Sequence, residues 1–355
     1  MNSSTVPKLF DIAVLPGDGI GKDVMLEAIR VLRRYEASLA GASFQLGEHE
    51  AGATAYLQTG SALPHETFNA CRESDAILLG AMGLPDVRLP DGKELTPQID
   101  LRERLDLYSG LRPTYLYHQS DSPLRGYQPE EIDFILVREN TEGLFSARDS
   151  KVSQDALEVR DIMRITRKGS KKVLRSAFEL AVKRRKRVTL VDKANVLPSM
   201  AFLRSVFDEI ALEYPHIETE RVYVDAAALF LLRRPNTFDV MVTENMFGDI
   251  LSDLASGLIG GMGMAPSADI GDECAVSQPA HGTAPDIAGK GIANPVGMIL
   301  SVAMMLDWLP DVDGEPIRNA VASALRCPET RTPDMGGRLT TAQMTDAILE
   351  NMIAP

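Results

Sequence analysis

Cysteine is scarce in this 355-residue chain: Cys71, Cys274 and Cys327 are widely spaced, odd in number and form no CxxC. That argues against a disulfide framework or a thiolate metal site and fits a reducing cytoplasm. Long apolar runs are missing too. The most apolar stretch, residues 298–306, is far too short to span a bilayer and stops at Asp307, so it reads as a core helix. The opening MNSSTVPK has no basic stretch followed by an apolar one, so no signal peptide is expected. Positive charge is short as well. A net charge of −13 and a pI near 5.0 argue against broad binding of nucleic acid or anionic membrane, so an anionic small molecule must be caught by a local basic cluster. The first glycine turn, GDGIG at 17–21, is not GxGxxG, so it carries no Rossmann fingerprint. Internal repeats and low-complexity tracts are absent.

What is present is an ordinary soluble globular balance, 45% hydrophobic and 25% charged, in a chain long enough for two domains or one elaborate α/β domain. Residues 10–15 (FDIAVL) read as a buried strand stopped by Pro16 and the glycine turn. A helix follows over 22–35, where Val24, Ala28, Ile29 and Leu32 recur at helical spacing. The alternation continues with strands at 76–79, 134–137, 188–191, 221–224 and 238–242, and helices at 171–184, 200–213 and 249–258. Repeated β and α elements predict a sheet covered by helices on both faces. Residues 146–170 are more polar and less periodic, which fits a projecting arm or a long connection. The glycine-rich 257–266 fits either a crossing between domains or close backbone packing at a helix end.

The chemistry concentrates at strand ends. FGDILSDLAS (247–256) places Asp249 and Asp253 at i and i+4 on one helix face, a repelling pair unless something positive lies between them. The macrodipole favours an acid at a helix start, which accounts for Asp249 but not for Asp253. Asp225 closes the strand VYVD, and three oxygen ligands without His or Cys suit a hard cation such as Mg²⁺ or Mn²⁺. TLVDKANVLP ends a strand on Asp192, Lys193 and Asn195. Lys193 alone reads as solvated, but beside a divalent cation and arginines its pKa would fall, as a general base requires. Arg102 and Arg112 in LRERLDLYSGLRP, and Arg138 in VRENTEGLF, are each ordinary ion-pair candidates alone and also the preferred forks for carboxylates. The basic run 183–187 reads as a solvated helix terminus. HGTAPDIAGKGIANP (281–295) holds His281, Asp286 and Asn294 among turn formers.

Taken together, GDGIG, LRERLDLYSGLRP, VRENTEG, VDKANVL, FGDILSD, HGTAPDIAGKGIANP and TPDMGG, in this order over nearly the whole chain, closely resemble the β-decarboxylating dehydrogenase family. Its members include 3-isopropylmalate, isocitrate, homoisocitrate, tartrate and D-malate dehydrogenases. The resemblance implies a two-domain α/β fold that is not a Rossmann fold, with the active site in the interdomain cleft. On this reading residues 1–107 and 260–355 form the cofactor-binding domain, and 108–259 form the smaller domain with the dimer interface and the arm, about 146–170. It further implies a homodimer with shared sites: Arg102, Arg112 and Arg138 on the substrate carboxylates, Asp225, Asp249 and Asp253 on Mg²⁺ or Mn²⁺, and Lys193 and Asp225 reaching the partner's cleft. The NAD segment would be His281, Gly282, Thr283, Ala284, Asp286 and Asn294, with Asn195. Asp286 matches the NAD⁺-using members, because a carboxylate accepts from the ribose diol and repels a 2′-phosphate.

Two departures from the family pattern matter. The substrate loop, Leu95-Thr96-Pro97-Gln98-Ile99-Asp100, replaces the glutamate and the first leucine usual in isopropylmalate enzymes by Leu95 and Gln98 and keeps apolar character at Ile99. A 3-isopropylmalate-like hydroxy-dicarboxylate is the first expectation, with tartrate/D-malate or isocitrate/homoisocitrate as alternatives. Phe145 stands where the family has a tyrosine that assists protonation of the enol after CO₂ leaves, and a phenyl ring has no proton to give. That loss raises the rival reading of a non-catalytic regulatory subunit, against which the retained lysine, aspartates and arginines weigh.

Overall fold

The structure, a computed structural model, describes residues 8–352 apart from residues 40, 151 and 154. The first part of the chain forms β1 (Lys8–Leu15), α1 (Ile20–Glu36), β2 (Ala42–Glu48), α2 (Ala53–Thr59), α3 (His65–Glu73), β3 (Ala76–Leu79) and α4 (Pro97–Arg104). The middle forms β4 (Ser109–Tyr115), β5 (Asp133–Glu139), α5 (Arg167–Val182), β6 (Arg187–Asp192), α6 (Pro198–Ala211), β7 (Glu218–Tyr223), α7 (Val224–Arg233), β8 (Val240–Thr243) and α8 (Asn245–Ser256). The last part forms β9 (Pro266–Ile270), β10 (Ala275–Pro279), α9 (Val296–Trp308), α10 (Glu315–Leu325) and α11 (Thr341–Glu350).

All ten strands join one sheet in the order β2-β1-β3-β10-β9-β4-β5-β8-β6-β7. Both wings are parallel, as βα alternation requires. Three antiparallel pairings, β10 with β9, β9 with β4 and β4 with β5, fasten the wings at the centre. Helices cover both faces. On the β5–β8–β6 wing, α5 and α6 bury Val173, Phe178, Val206 and Phe207 against Val137, Leu190 and Val242. On the other wing, α1 and α9 join the core of β1 and β3 through Val24, Leu32, Ile299 and Val302, and α10 packs on α9 with Val321 in the same core. Apolar on all sides, α9 can only be an interior helix, and nearly all of its residues are buried. No helix among the described residues is long and apolar enough to cross a membrane.

Several sequence expectations are corrected here. Asp225 does not close a strand: β7 ends at Tyr223, and Asp225 sits in the first turn of α7. Nor does Asp249 begin its helix, because α8 starts four residues earlier under a Glu244 cap that accepts from the Met246 and Phe247 amides. The basic run 183–187 is not simply solvated. Arg184 bridges Asp133 and the buried Asp239, while Arg185 donates to the Asp133 and Phe238 carbonyls. Residues 257–266 carry the chain from α8 into central β9.

Distant segments are held by a buried ion pair: Arg331 Nε and Nη2 lie 2.8 and 2.9 Å from Asp121, and the same guanidinium caps the Leu325, Cys327 and Thr330 carbonyls. Arg331→Met leaves the Asp121 carboxylate buried and unpaired, so unfolding free energy should fall by about 3–5 kcal/mol, seen as a lower denaturant midpoint. An unchanged midpoint would show that the pair contributes no net stability.

Candidate active site

Arg138 is the penultimate residue of β5, so its side chain leaves the sheet at the strand's C-terminal end. Its guanidinium is buried and fully directed. Nε and Nη2 lie 3.0 and 2.8 Å from Asn245 Oδ1, Nη1 pairs with Asp249, and the ring of Phe145 lies 5.3 Å from Cζ. The glycine of FGD permits this. A Cβ on Gly248 would come within 2.8 Å of Arg138 Cβ and 2.7 Å of Cγ, so only glycine lets α8 lie this close to β5. Burial, with Arg102 nearby, lowers the Arg138 pKa to about 10.

The polar cluster after β5 is accounted for by its own turn. Glu139 accepts from the amides of Thr141 and Glu142 and from the Thr141 hydroxyl, and burial pushes its carboxyl up to about 7. Glu142 in turn accepts from the Thr166 amide at 2.7 Å and hydroxyl at 2.5 Å, fixing the start of α5. Asn140 reaches instead to Asp269 at 2.9 Å.

Arg138, Arg102, Arg112, Phe145, Asp249 and Asp253 line one cavity of about 350 Å³, with Thr96, Gln98 and Ile99 on one wall and His281 and Gly282 on another. Larger hollows of about 660 and 620 Å³ lie elsewhere and hold none of these arginines. Burial raises the Asp253 carboxyl, and the neighbouring Asp249 raises it further, the electrostatic penalty that an added cation would relieve. Two polar atoms on the cavity wall, Gln98 Oε1 and His281 Nε2, are buried with no hydrogen-bond partner among the described residues. His281 Nδ1 faces its neighbour's carbonyl, and burial pulls the ring's pKa down, which favours the neutral imidazole.

The substrate-loop helix is tied to the turn after Phe145. Arg148, three residues beyond Phe145, donates to Thr96 Oγ1, Asp100 and Glu103, and its own carbonyl accepts from Lys93 Nζ.

Lys193, Asp225 and Asn195 lie outside this cavity, as do Thr283, Ala284, Asp286 and Asn294. Lys193 Nζ lies 2.9 Å from Asp225 Oδ1, and the Asp225 side chain is 69% exposed. That hydrogen bond is the main reason its carboxyl lies below the usual range. Asn195 and Asp286 are exposed, whereas Asn294 is buried and engaged with Asp334 and the Val296 amide. Ala284, a non-glycine residue at φ +35°, turns the segment after Thr283, whose carbonyl accepts from the Ile20 amide of the GDGIG turn. No group of three or more His, Cys, Asp or Glu side chains among the described residues could hold a metal within one chain, consistent with Asp225 standing apart from Asp249 and Asp253.

Motif reading missed Asp269 and Gln278. Asp269 is fully buried behind the cavity wall, with Arg102 Nε at 2.7 Å and Arg112 Nη2 at 3.0 Å. Gln278 Nε2 donates to it at 2.7 Å. The available signal was slight, a lone carboxylate flanked by Ala268 and Ile270, which is a costly place for a charge if that stretch is buried.

The profile of isocitrate/isopropylmalate dehydrogenases matches residues 11–348. The chain belongs to the isocitrate/isopropylmalate dehydrogenase family. It is 42% identical to the 3-isopropylmalate dehydrogenase of Aquifex aeolicus over 97% of this chain and 98% of that one. It is also 42% identical to the homoisocitrate dehydrogenase of Methanocaldococcus jannaschii, over 96% and 97% of the two chains. The crystal structure of isocitrate dehydrogenase from Methylococcus capsulatus superposes with a TM-score of 0.87 at 37% identity, covering 97% of this chain and 99% of that one. The protein is therefore an oxidoreductase of the β-decarboxylating dehydrogenase type. The relatives' different substrates show that membership alone does not choose among them.

Proposed function

We propose that this chain oxidises a malate-type 2-hydroxy acid bearing a 3-carboxylate, using NAD⁺ and Mg²⁺ or Mn²⁺, with decarboxylation following, and that 3-isopropylmalate is the leading substrate. The observation that carries this reading is the single cavity in which three arginines face two repelling carboxylates. Asp249 and Asp253 would hold the divalent cation together with Asp225 of a second copy, an all-oxygen set suited to a hard ion. When bound, the metal supplies Lewis-acid polarisation of the 2-hydroxyl and of the oxo group it becomes.

Arg102 and Arg138 would orient the substrate carboxylates, with Arg112 adding charge behind them, while Thr96, Gln98 and Ile99 face the C3 substituent. Lys193, delivered by the second copy, would take the hydroxyl proton. His281, Gly282, Thr283, Ala284, Asp286, Asn294 and Asn195 would hold NAD⁺. The unpartnered His281 Nε2 is the observation that fits a ligand on that wall. Residues 1–107 with 260–355, and 108–259, would be the bodies that close over the substrate.

A homodimer fits the surface. The arm exposes Leu157 and Ile162, and Val196, Leu229 and Ile250 are exposed near Lys193, Asp225 and Asp249 in the sequence, apolar area that a second copy would cover. A cytoplasmic setting fits the three free cysteines.

The test is NADH formation with Mn²⁺ on 3-isopropylmalate, D-malate, tartrate, isocitrate and homoisocitrate, with CO₂ measured in parallel. Turnover of none of the five would sink the reading and favour a non-catalytic subunit. Phe145 adds a prediction of its own. Without a phenolic donor, decarboxylation or the protonation that follows it should be slowed in the native enzyme, so that CO₂ trails NADH or the final 2-oxo acid trails CO₂, and Phe145→Tyr should close the gap. Equal yields before substitution, with no gain after it, would show that another group protonates the product.

A further inference from the structure

The carboxylate of Asp269 lies behind the arginines and is saturated by them. Its Oδ2 faces Arg102 Nε and Gln278 Nε2, both at 2.7 Å, and its Oδ1 faces Arg112 Nη2 at 3.0 Å and Asn140 Nδ2 at 2.9 Å. Its side chain is 1% exposed. Burial alone would raise this carboxyl, but the opposing pull of Arg102 and then Arg112 prevails and holds it well below the usual carboxylate range, so it is charged at neutral pH. The structure thus places a carboxylate against two of the three guanidiniums in the cleft.

This has two consequences for the cavity in front. The first concerns donors. Arg112 has Nη2 on Asp269 and Nη1 turned to the backbone carbonyls of Leu111 and Ala268, so little of its fork is left for a ligand. Arg102 gives Asp269 only Nε, and both of its Nη nitrogens are without a partner among the described residues. Arg102 is therefore the arginine that can receive a carboxylate with two parallel bonds. The second concerns charge. The guanidiniums of Arg102, Arg112 and Arg138 are balanced one for one by Asp249, Asp253 and Asp269. Glu94 at the rim is already paired with Arg88, and Lys193 with Asp225. With a divalent cation the cleft carries two surplus positive charges. Without the charge of Asp269 it would carry three.

We propose that Asp269 is a positioning residue that sets the substrate class of this cleft: it aims Arg102, withdraws one unit of positive charge, and so selects hydroxy acids with two carboxylates over those with three. The proposal rests on the dehydrogenase reading above and narrows it, favouring malate-type dicarboxylates, 3-isopropylmalate among them, over isocitrate or homoisocitrate. It assigns specificity to a residue that itself touches no substrate.

The test separates binding from chemistry. Calorimetric titration of the intact enzyme with malonate and with propane-1,2,3-tricarboxylate, both unreactive, should show tighter binding of malonate in the native protein. Asp269→Asn keeps the shape and removes the charge, and should move the ratio of the two dissociation constants by about tenfold toward the tricarboxylate. Gln278→Glu added to that variant returns a carboxylate beside the same arginines and should restore the native ratio. A merely structural role would weaken both ligands alike, and that outcome overturns the proposal. So does a native protein that prefers the tricarboxylate, a result requiring no variant. If Asp269→Asn does not fold, Asp269→Ser and the native ratio decide the matter. Activity separates the two layers of inference. A native enzyme active on the hydroxy-acid panel whose binding ratio does not move with Asp269 sinks this proposal alone. A moving ratio in a protein that turns over none of the five substrates sinks the dehydrogenase reading and leaves the charge-setting role of Asp269 standing.

Discussion

Lys193→Met should lower kcat by roughly 10³-fold, within the usual range for removal of a general base, while leaving the thermal unfolding curve unchanged. The fold is spared because Lys193 makes one ion pair at the surface, to an Asp225 that is itself 69% exposed. The kinetic loss is large because methionine keeps the length of the stem and removes the only group at its end able to accept a proton. The lysine lies outside the cavity that holds the arginines, so a further result follows. If the proposed dimer shares its sites, an Arg138→Met subunit lacks a working cleft and a Lys193→Met subunit lacks the lysine it would donate, and each homodimer should be nearly silent. Exchanged at equal amounts, they should recover about a quarter of the native sites, because each mixed dimer contains one cleft with an intact arginine and an intact lysine. Verified mixed dimers without recovered activity would end the shared-site reading. Native turnover by Lys193→Met would remove this lysine from the chemistry altogether.

Arg138→Lys should be nearly as damaging as Arg138→Met, with kcat/KM falling by about 10²–10⁴-fold in each, the cost of removing one partner of a buried, hydrogen-bonded charge. Preserved charge does not rescue because the guanidinium acts as a fork: two nitrogens share Asn245 Oδ1 while the third holds Asp249, and the flat group lies near Phe145. A lysine ammonium reaches one of these partners at a time. The Mn²⁺ concentration giving half-maximal rate should rise as well, since Asp249 loses the contact that orients it. Near-native kcat/KM in the lysine variant would reduce Arg138 to a point charge and remove the geometric argument.

Much of the fold can be read in the chain because its wings follow simple periodicity. Val24, Ala28 and Leu32 mark one face of α1, and β3 is purely apolar, so both elements announce themselves. The start of α5 falls four residues before the expected one because its first turn, RKGS, has no apolar face and is held by the Thr166 cap instead. The sheet centre escaped detection for a more telling reason. β4, β9 and β10 bury Ser109, Arg112, Thr114, Ser267, Asp269, Ser277 and Gln278, so they lack the apolar runs that betray interior strands. Arg112, Ser267 and Gln278 line the cleft, and Arg112 and Gln278 meet on Asp269, which makes the centre both the part of the sheet nearest the chemistry and the part hardest to see. Asp249 and Asp253 were legible from an i, i+4 repulsion that only context can relieve. Asp269 was not, because nothing in PSADI indicates that residues 102, 112, 140 and 278 converge on it.

The tether made by Arg148 changes how the substrate loop can be engineered. A specificity graft would ordinarily exchange a contiguous cassette, here about residues 95–104, for the corresponding stretch of a relative. Three of that cassette's anchors, Thr96, Asp100 and Glu103, are held by a single side chain 45 or more positions downstream. The loop and the turn after Phe145 are thus one unit written in two places, and a transplanted loop that leaves its second half behind arrives without its latch.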